Sequence, residues 1–197
     1  MDNKPDTILL AEMTTCLVLQ ENKRYGEIIL ELKNRNQPRP MVYEAILQSY
    51  LHDGYATALE GLCILKDVWP DQHGELDQRS ISDWEKDGEE LFYKIYGSVG
   101  NKVRSNIGSI SPELSRWMVT EGYGKVLSRN HLDVKTREIL TVVVLTIKSR
   151  KTQLYSHIRG ALRVGVQKDV LHRVFDMMNS YPLEKEIALS RELLDSL

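Results

Sequence analysis

Residues 123–165 read YGKVLSRNHLDVKTREILTVVVLTIKSRKTQLYSHIRGALRVG. Two helix-forming segments are joined here by the polar break KSRKT (148–152), the first carrying Glu138 and the second a lone imidazole, His157, nineteen residues later. Between them, Thr141-Val-Val-Val-Leu-Thr-Ile147 is rich in β-branched residues, which by propensity alone favour a buried strand. The start signals argue otherwise: Asp133 is a good N-cap, Thr136 and Glu138 follow closely, and the run from Val134 to Lys148 has helix length. The spacing therefore predicts a buried helix, and Arg150, Gln153 and His157, at i, i+3 and i+7, share a face of the next one.

Outward from this stretch the pattern stays helical. Tyr25, Ile28, Ile29 and Leu32 fall on one face, as do Val42, Ala45, Ile46 and Ser49, then Ala58, Leu59, Leu62 and Leu65. Leu114, Trp117, Met118 and Glu121 continue it, followed by Val170, Val174, Phe175 and Met178, and by Ile187, Leu189, Leu193 and Leu194. No segment reads as a strand, so the fold class is all-α. A weak repeat runs through these helices. At an offset of 130, Leu10 pairs with Leu140, Tyr25 with Tyr155, Ile28 with Ile158 and Leu32 with Leu162. At 128, Val42 pairs with Val170, Ile46 with Val174, Leu47 with Phe175 and Leu65 with Leu193, the shift falling in the loop NRNQPRP.

The wording of 123–165 resembles the carboxymuconolactone decarboxylase family, within the alkylhydroperoxidase D-like superfamily. The likeness rests on Tyr123-Gly124, Arg129, Leu132-Asp133, Thr136-Arg137-Glu138, Leu154, His157, Ala161-Leu162 and Gly165, and fades outward from about Trp84 to Leu194. It implies two diverged copies of the family's helical unit packed together: a degenerate copy at 1–67, a linker with connecting helices at 68–122, and the recognisable copy at 123–197. The segment 41–56, MVYEAILQSYLHDGYA, resembles the family's acidic residue, apolar helix and Tyr-x-Gly-x-Pro turn, with Glu44, Leu47, Gln48 and Gly54 matching, His52 at the tyrosine place and Ala56 at the proline place. Carried back through the repeat, Glu138 and His157 fall on Ile8 and Glu27, so at most one site per chain is expected.

The peroxidase relatives carry Cys-x-x-Cys just before the histidine. The corresponding places here hold Arg150 and Gln153, neither of which supplies a thiolate. Cys16 and Cys63 form no redox spacing and read as buried free thiols, a pair brought together by folding being the alternative. The resemblance then favours a decarboxylase-type lyase without cofactor, acting on a small unsaturated lactone acid. His157 and Glu138 are the expected catalytic pair, and Arg137, Arg150, Arg129 and Gln153 the expected contacts to an anionic substrate. For Arg129 or Arg137, a structural ion pair with Glu121, Asp133 or Glu138 is the competing reading. A thiol-dependent, peroxiredoxin-type activity and a non-catalytic oligomeric binding protein are the alternatives. The family also implies a homo-oligomer, trimeric or hexameric.

Other features exclude more than they assign. A net charge of −2 and a pI of about 6.2 give no basic field for nucleic acid. No apolar run approaches the ~18 residues that cross a bilayer, and MDNKPDTILLAEMTTC does not read as a signal peptide. A cytoplasmic, soluble chain is expected. The basic cluster Lys148, Arg150 and Lys151 reads as loop charge, and YGSVGNKVRSNIG (96–108) as helix ends and a loop, not a phosphate cradle. His73 and His131 fall in polar turns, His52 and His172 on helices without ligand-spaced partners, so no metal site is expected. The polar stretch Pro70–Asp83 reads as a linker or surface loop.

Overall fold

A computed structural model describes residues 5–71 and 76–197; the reading of His73 lies outside them. Every regular element among the described residues is helical. The chain divides into two compact units, one formed by residues 1–73 and 131–197, the other by residues 74–130.

The larger unit holds α1 (Thr7–Leu19), α2 (Asn22–Asn34), α3 (Arg39–Leu47), the single turn α4 (Ser49–Asp53) and α5 (Tyr55–Val68). In the smaller unit follow α6 (Ile81–Tyr96), a 3₁₀ turn at Gly97–Val99, α7 (Gly100–Ile110) and α8 (Pro112–Trp117), which runs into a wide-turned π segment, Met118–Leu127. The larger unit then resumes with α9 (Val134–Ile147), α10 (Lys151–Arg163), α11 (Lys168–Met178) and α12 (Glu184–Asp195).

The β-branched run is a helix, and its start is fixed locally. Asp133 accepts hydrogen bonds from the backbone N–H groups of Lys135 (3.0 Å) and Thr136 (3.1 Å) and from the Thr136 hydroxyl (2.7 Å), which nucleates α9. Eleven consecutive residues, Thr136 to Thr146, are buried on every side. A helix buried all round belongs in the centre of a bundle, and α9 packs against α1, α4, α10 and α12. The same core takes in Tyr25, Ile28, Ile29 and Leu32 of α2, Val42, Ala45 and Ile46 of α3, and Val174, Phe175 and Met178 of α11.

Two expected apolar faces turn out differently. Leu59 of α5 is exposed, as are Leu114 and Trp117 of α8, while Ser115, Val119, Thr120 and Tyr123 point inward. For the second of these faces the reason lies in two glycines. A Cβ on Gly88 would collide with the Val119 carbonyl, and one on Gly124 with the Trp84 carbonyl, so α6 and the π segment meet backbone to backbone at these positions. That approach, together with wide turns that change the angular step per residue, selects the buried face in place of the bulky side chains. Phe92, Tyr96 and Tyr123 fill the space beside it, the two tyrosine hydroxyls 3.1 Å apart. The segment 96–108, expected as helix ends and a loop, holds the 3₁₀ turn and then runs on as helix α7. The expected linker ends early: Ser80 and Asp83 form a reciprocal capping box that starts α6 at Ile81.

Candidate functional site

Three helices of the larger unit build the site. Glu138 lies in the second turn of α9, and its carboxylate Oε2 sits 3.0 Å from Nδ1 of His157, two turns into α10. Glu138 is 1% exposed and His157 8%. The two residues that the resemblance singled out are therefore in contact. His157 Nε2 has no hydrogen-bond partner among the described residues. The sole described side-chain polar atom both sealed and unpaired is Trp84 Nε1, so the free nitrogen of His157 reaches solvent.

A second imidazole joins the first. His52, in the single turn α4, lies with its ring centroid 6.0 Å from that of His157, edge on at 77°. Its Nε2 stands 3.3 Å from the Thr141 hydroxyl, one turn beyond Glu138 on α9. Burial, and secondarily the neighbouring His157, push the His52 imidazole from its ordinary 6.5 down to about 3. Gly54, at φ +92, turns the chain sharply after α4 and into α5. Sequence spacing could not pair His52 with a residue 105 positions away; the available signal was its place two residues before that glycine, where the resembled turn has a tyrosine.

Among the residues expected to contact an anion, Arg137 is 1% exposed. Its guanidinium pairs with Glu44 of α3 at 3.0 Å, lies 3.3 Å from Gln48 Oε1, and donates to the Leu132 carbonyl at 3.2 Å, while Gln48 Nε2 donates back to the Arg137 carbonyl at 3.0 Å. The buried ion pair of this arginine is with Glu44, 93 positions away and outside the expected set of Glu121, Asp133 and Glu138. Arg129 belongs to the 74–130 unit, where it pairs with Asp77 at 3.3 Å. Arg79 also grips Asp77, at 2.8 Å, and the two arginines hold that carboxyl down at about 2. Arg150 is the exposed N-cap of α10, and Gln153 is exposed in its first turn. Lys148 pairs with Asp53, and His131 is exposed.

The thiols divide. Cys16 is buried and 3.1 Å from the Tyr181 hydroxyl, and burial pushes its thiol up. Cys63, expected to be buried, is exposed on α5, where Gly61 rather than the thiol occupies the inward face. The described residues contain no cluster of three or more metal-ligating side chains, and no helix long and apolar enough to cross a membrane.

Residues 112–193 match the carboxymuconolactone decarboxylase family model. The chain is similar to Peroxisomal protein 2 of Schizosaccharomyces pombe, 27% identical over 135 residues, covering 66% of this chain and 63% of that protein. It is also similar to 4-carboxymuconolactone decarboxylase of Acinetobacter baylyi, 29% identical over 87 residues, covering 44% of this chain and 65% of that enzyme. The chain thus spans a little under two thirds of each of these relatives. Glu138 and His157 both fall inside the segment that matches the carboxymuconolactone decarboxylase family model.

Proposed function

We propose that the chain is a cofactor-free lyase that removes carbon dioxide from a small unsaturated lactone acid. The observation that carries this reading is the Glu138–His157 contact with its solvent-reaching Nε2. A carboxylate on Nδ1 fixes the tautomer and stabilises the imidazolium, so Nε2 becomes the proton-transferring end. In the reaction the bond from the ring carbon to the substrate carboxylate breaks and carbon dioxide leaves. The electron pair passes into the conjugated lactone as a dienolate, whose carbon takes the proton from His157 Nε2. Water restores that proton, so the net change is one carboxylate and one proton converted to carbon dioxide and a C–H bond. Arg137 is committed to Glu44, so the anion contact falls to Arg150 at the open end of α10.

A thiol peroxidase is the poorer reading. Its nucleophile must be a thiolate, whereas burial holds the Cys16 thiol protonated and the places before His157 carry Arg150 and Gln153. We also propose duplication and assembly. Helices α1, α2, α3 and α5 recur in order as α9, α10, α11 and α12, in the register of the paired residues. Exposed Ile110, Leu114 and Trp117, and separately Tyr55 and Leu59, offer apolar surface for a trimer or hexamer. The deciding experiment is turnover of 4-carboxymuconolactone followed by carbon dioxide release, with melting temperature measured on the same samples. Turnover by the native chain and none by a stably folded His157→Gln variant supports the lyase; ligand-induced stabilisation without turnover points to a binding protein.

A further inference from the structure

His157 is the imidazole that sequence and family single out, yet the site is built around two. Glu138 and Thr141, one turn apart on the same face of α9, each anchor one ring: Glu138 holds Nδ1 of His157 and Thr141 meets Nε2 of His52. Each ring is thus held at one nitrogen and left without a partner at the other among the described residues. A histidine kept only for packing normally has its buried nitrogens satisfied. Here the far nitrogens, His157 Nε2 and His52 Nδ1, are unpaired and yet absent from the sealed polar atoms, so both reach solvent.

The two anchors differ in chemistry. A carboxylate favours the charged ring, whereas a hydroxyl gives no such support, and burial keeps His52 neutral down to about pH 3. The direction of the Thr141 bond is also constrained. A helical threonine often donates to the carbonyl four residues back, here that of Arg137, but that oxygen already accepts the Gln48 side-chain amide at 3.0 Å. The Thr141 hydroxyl is then free to donate to His52 Nε2, which leaves the proton of the neutral ring on Nδ1.

We propose that His52 is a second substrate-contacting residue of this site, a neutral imidazole whose outward Nδ1–H donates a hydrogen bond to the carboxylate or lactone oxygen of the ligand that His157 protonates. It rests on the lyase reading for the ligand class, and adds a division of roles: His157 moves a proton, His52 holds an oxygen.

Histidine Cε1–H correlation spectra of the full-length protein, titrated with 2-furoate as a planar five-membered oxygen-heterocycle acid, test this. The resonances of His52 and His157 should both move, with one common dissociation constant. His52→Phe, which keeps a ring in place without a donor, should weaken 2-furoate at least about tenfold, the scale of one hydrogen bond to a charged group. His52→Gln, which restores an N–H, should recover part of that loss, and its folding is checked by melting temperature. A shift confined to His157, or His52→Phe binding within twofold of the native chain, would overturn the proposal. If 2-furoate moves neither ring, the ligand class proposed above fails by itself, and diethyl pyrocarbonate decides the two-histidine site. Acylation of both His52 and His157 on the time scale of exposed His131 upholds the shared open site, and a His52 left unmodified once His131 has reacted sinks it.

Discussion

Arg137 and Glu138 are neighbours on α9, and each makes a buried charged contact, but the two contacts have opposite characters. Around Arg137 the groups are used up: Glu44 takes the guanidinium, and Gln48 bonds both the side chain and the carbonyl. Around Glu138 a nitrogen is left over, because His157 spends one end of its ring on the carboxylate and keeps the other open to solvent. Both contacts lie in the interior. An open valence separates a fastening from a site, and the fastening positions the site, since the Arg137–Glu44 pair joins α3 to the same turn of α9 that presents Glu138.

The largest expected effect is on chemistry. His157→Gln should abolish lactone turnover while leaving the melting temperature within a few degrees, because glutamine hydrogen-bonds but supplies no acid near neutral pH. Glu138→Gln should cost less than the ~10²–10⁴-fold of general acid catalysis, since it removes the orienting charge and not the acid. A destabilised but fully active His157→Gln would make the pair another fastening and erase the contrast with Arg137.

Arg137→Met should act on stability instead. Removing one partner of a buried ion pair strands the Glu44 carboxylate and costs about 3–5 kcal/mol. Adding Glu44→Leu to Arg137→Met should restore most of it, and a chemical-denaturation cycle over the four proteins reads the result. Failure of the double variant to recover would mean that Arg137 does more than offset Glu44.

A smaller effect should appear with pH. His52 is held at about 3 when folded and relaxes to about 6.5 when unfolded, so below 6.5 the unfolded chain takes up a proton that the folded chain refuses. Its share of stability is complete above about pH 6.5 and falls away toward pH 3. The loss over that interval should be about 1–3 kcal/mol, the half-buried residue keeping some screening by water. His52→Phe should flatten that part of the profile in thermal melts; an unchanged slope would show that the ring does not carry it.

The smallest effect is expected at the thiols. Cys16→Ala with Cys63→Ala should leave turnover within a few-fold, with a modest drop in melting temperature from the buried Cys16 site. Loss of activity on removing either thiol would reopen the peroxidase reading.

What could be read in the chain was whatever depends on neighbours along it. The Asp133 cap, the helical length of 134–148 and the apolar periodicities of α2, α3 and α11 are local, and they made the all-helical class and the buried α9 legible without a structure. Glu138 and His157 were singled out by the family resemblance, and their contact needs only the packing of two adjacent helices across one short break. Tertiary packing alone decided the rest. Glu44 reaches Arg137, and His52 reaches His157, across about a hundred residues, a separation at which no helical period carries information. The inward face of the Met118–Leu127 segment was likewise set by backbone contact at Gly88 and Gly124, where missing side chains, invisible to a count of apolar residues, determine how close two helices can come.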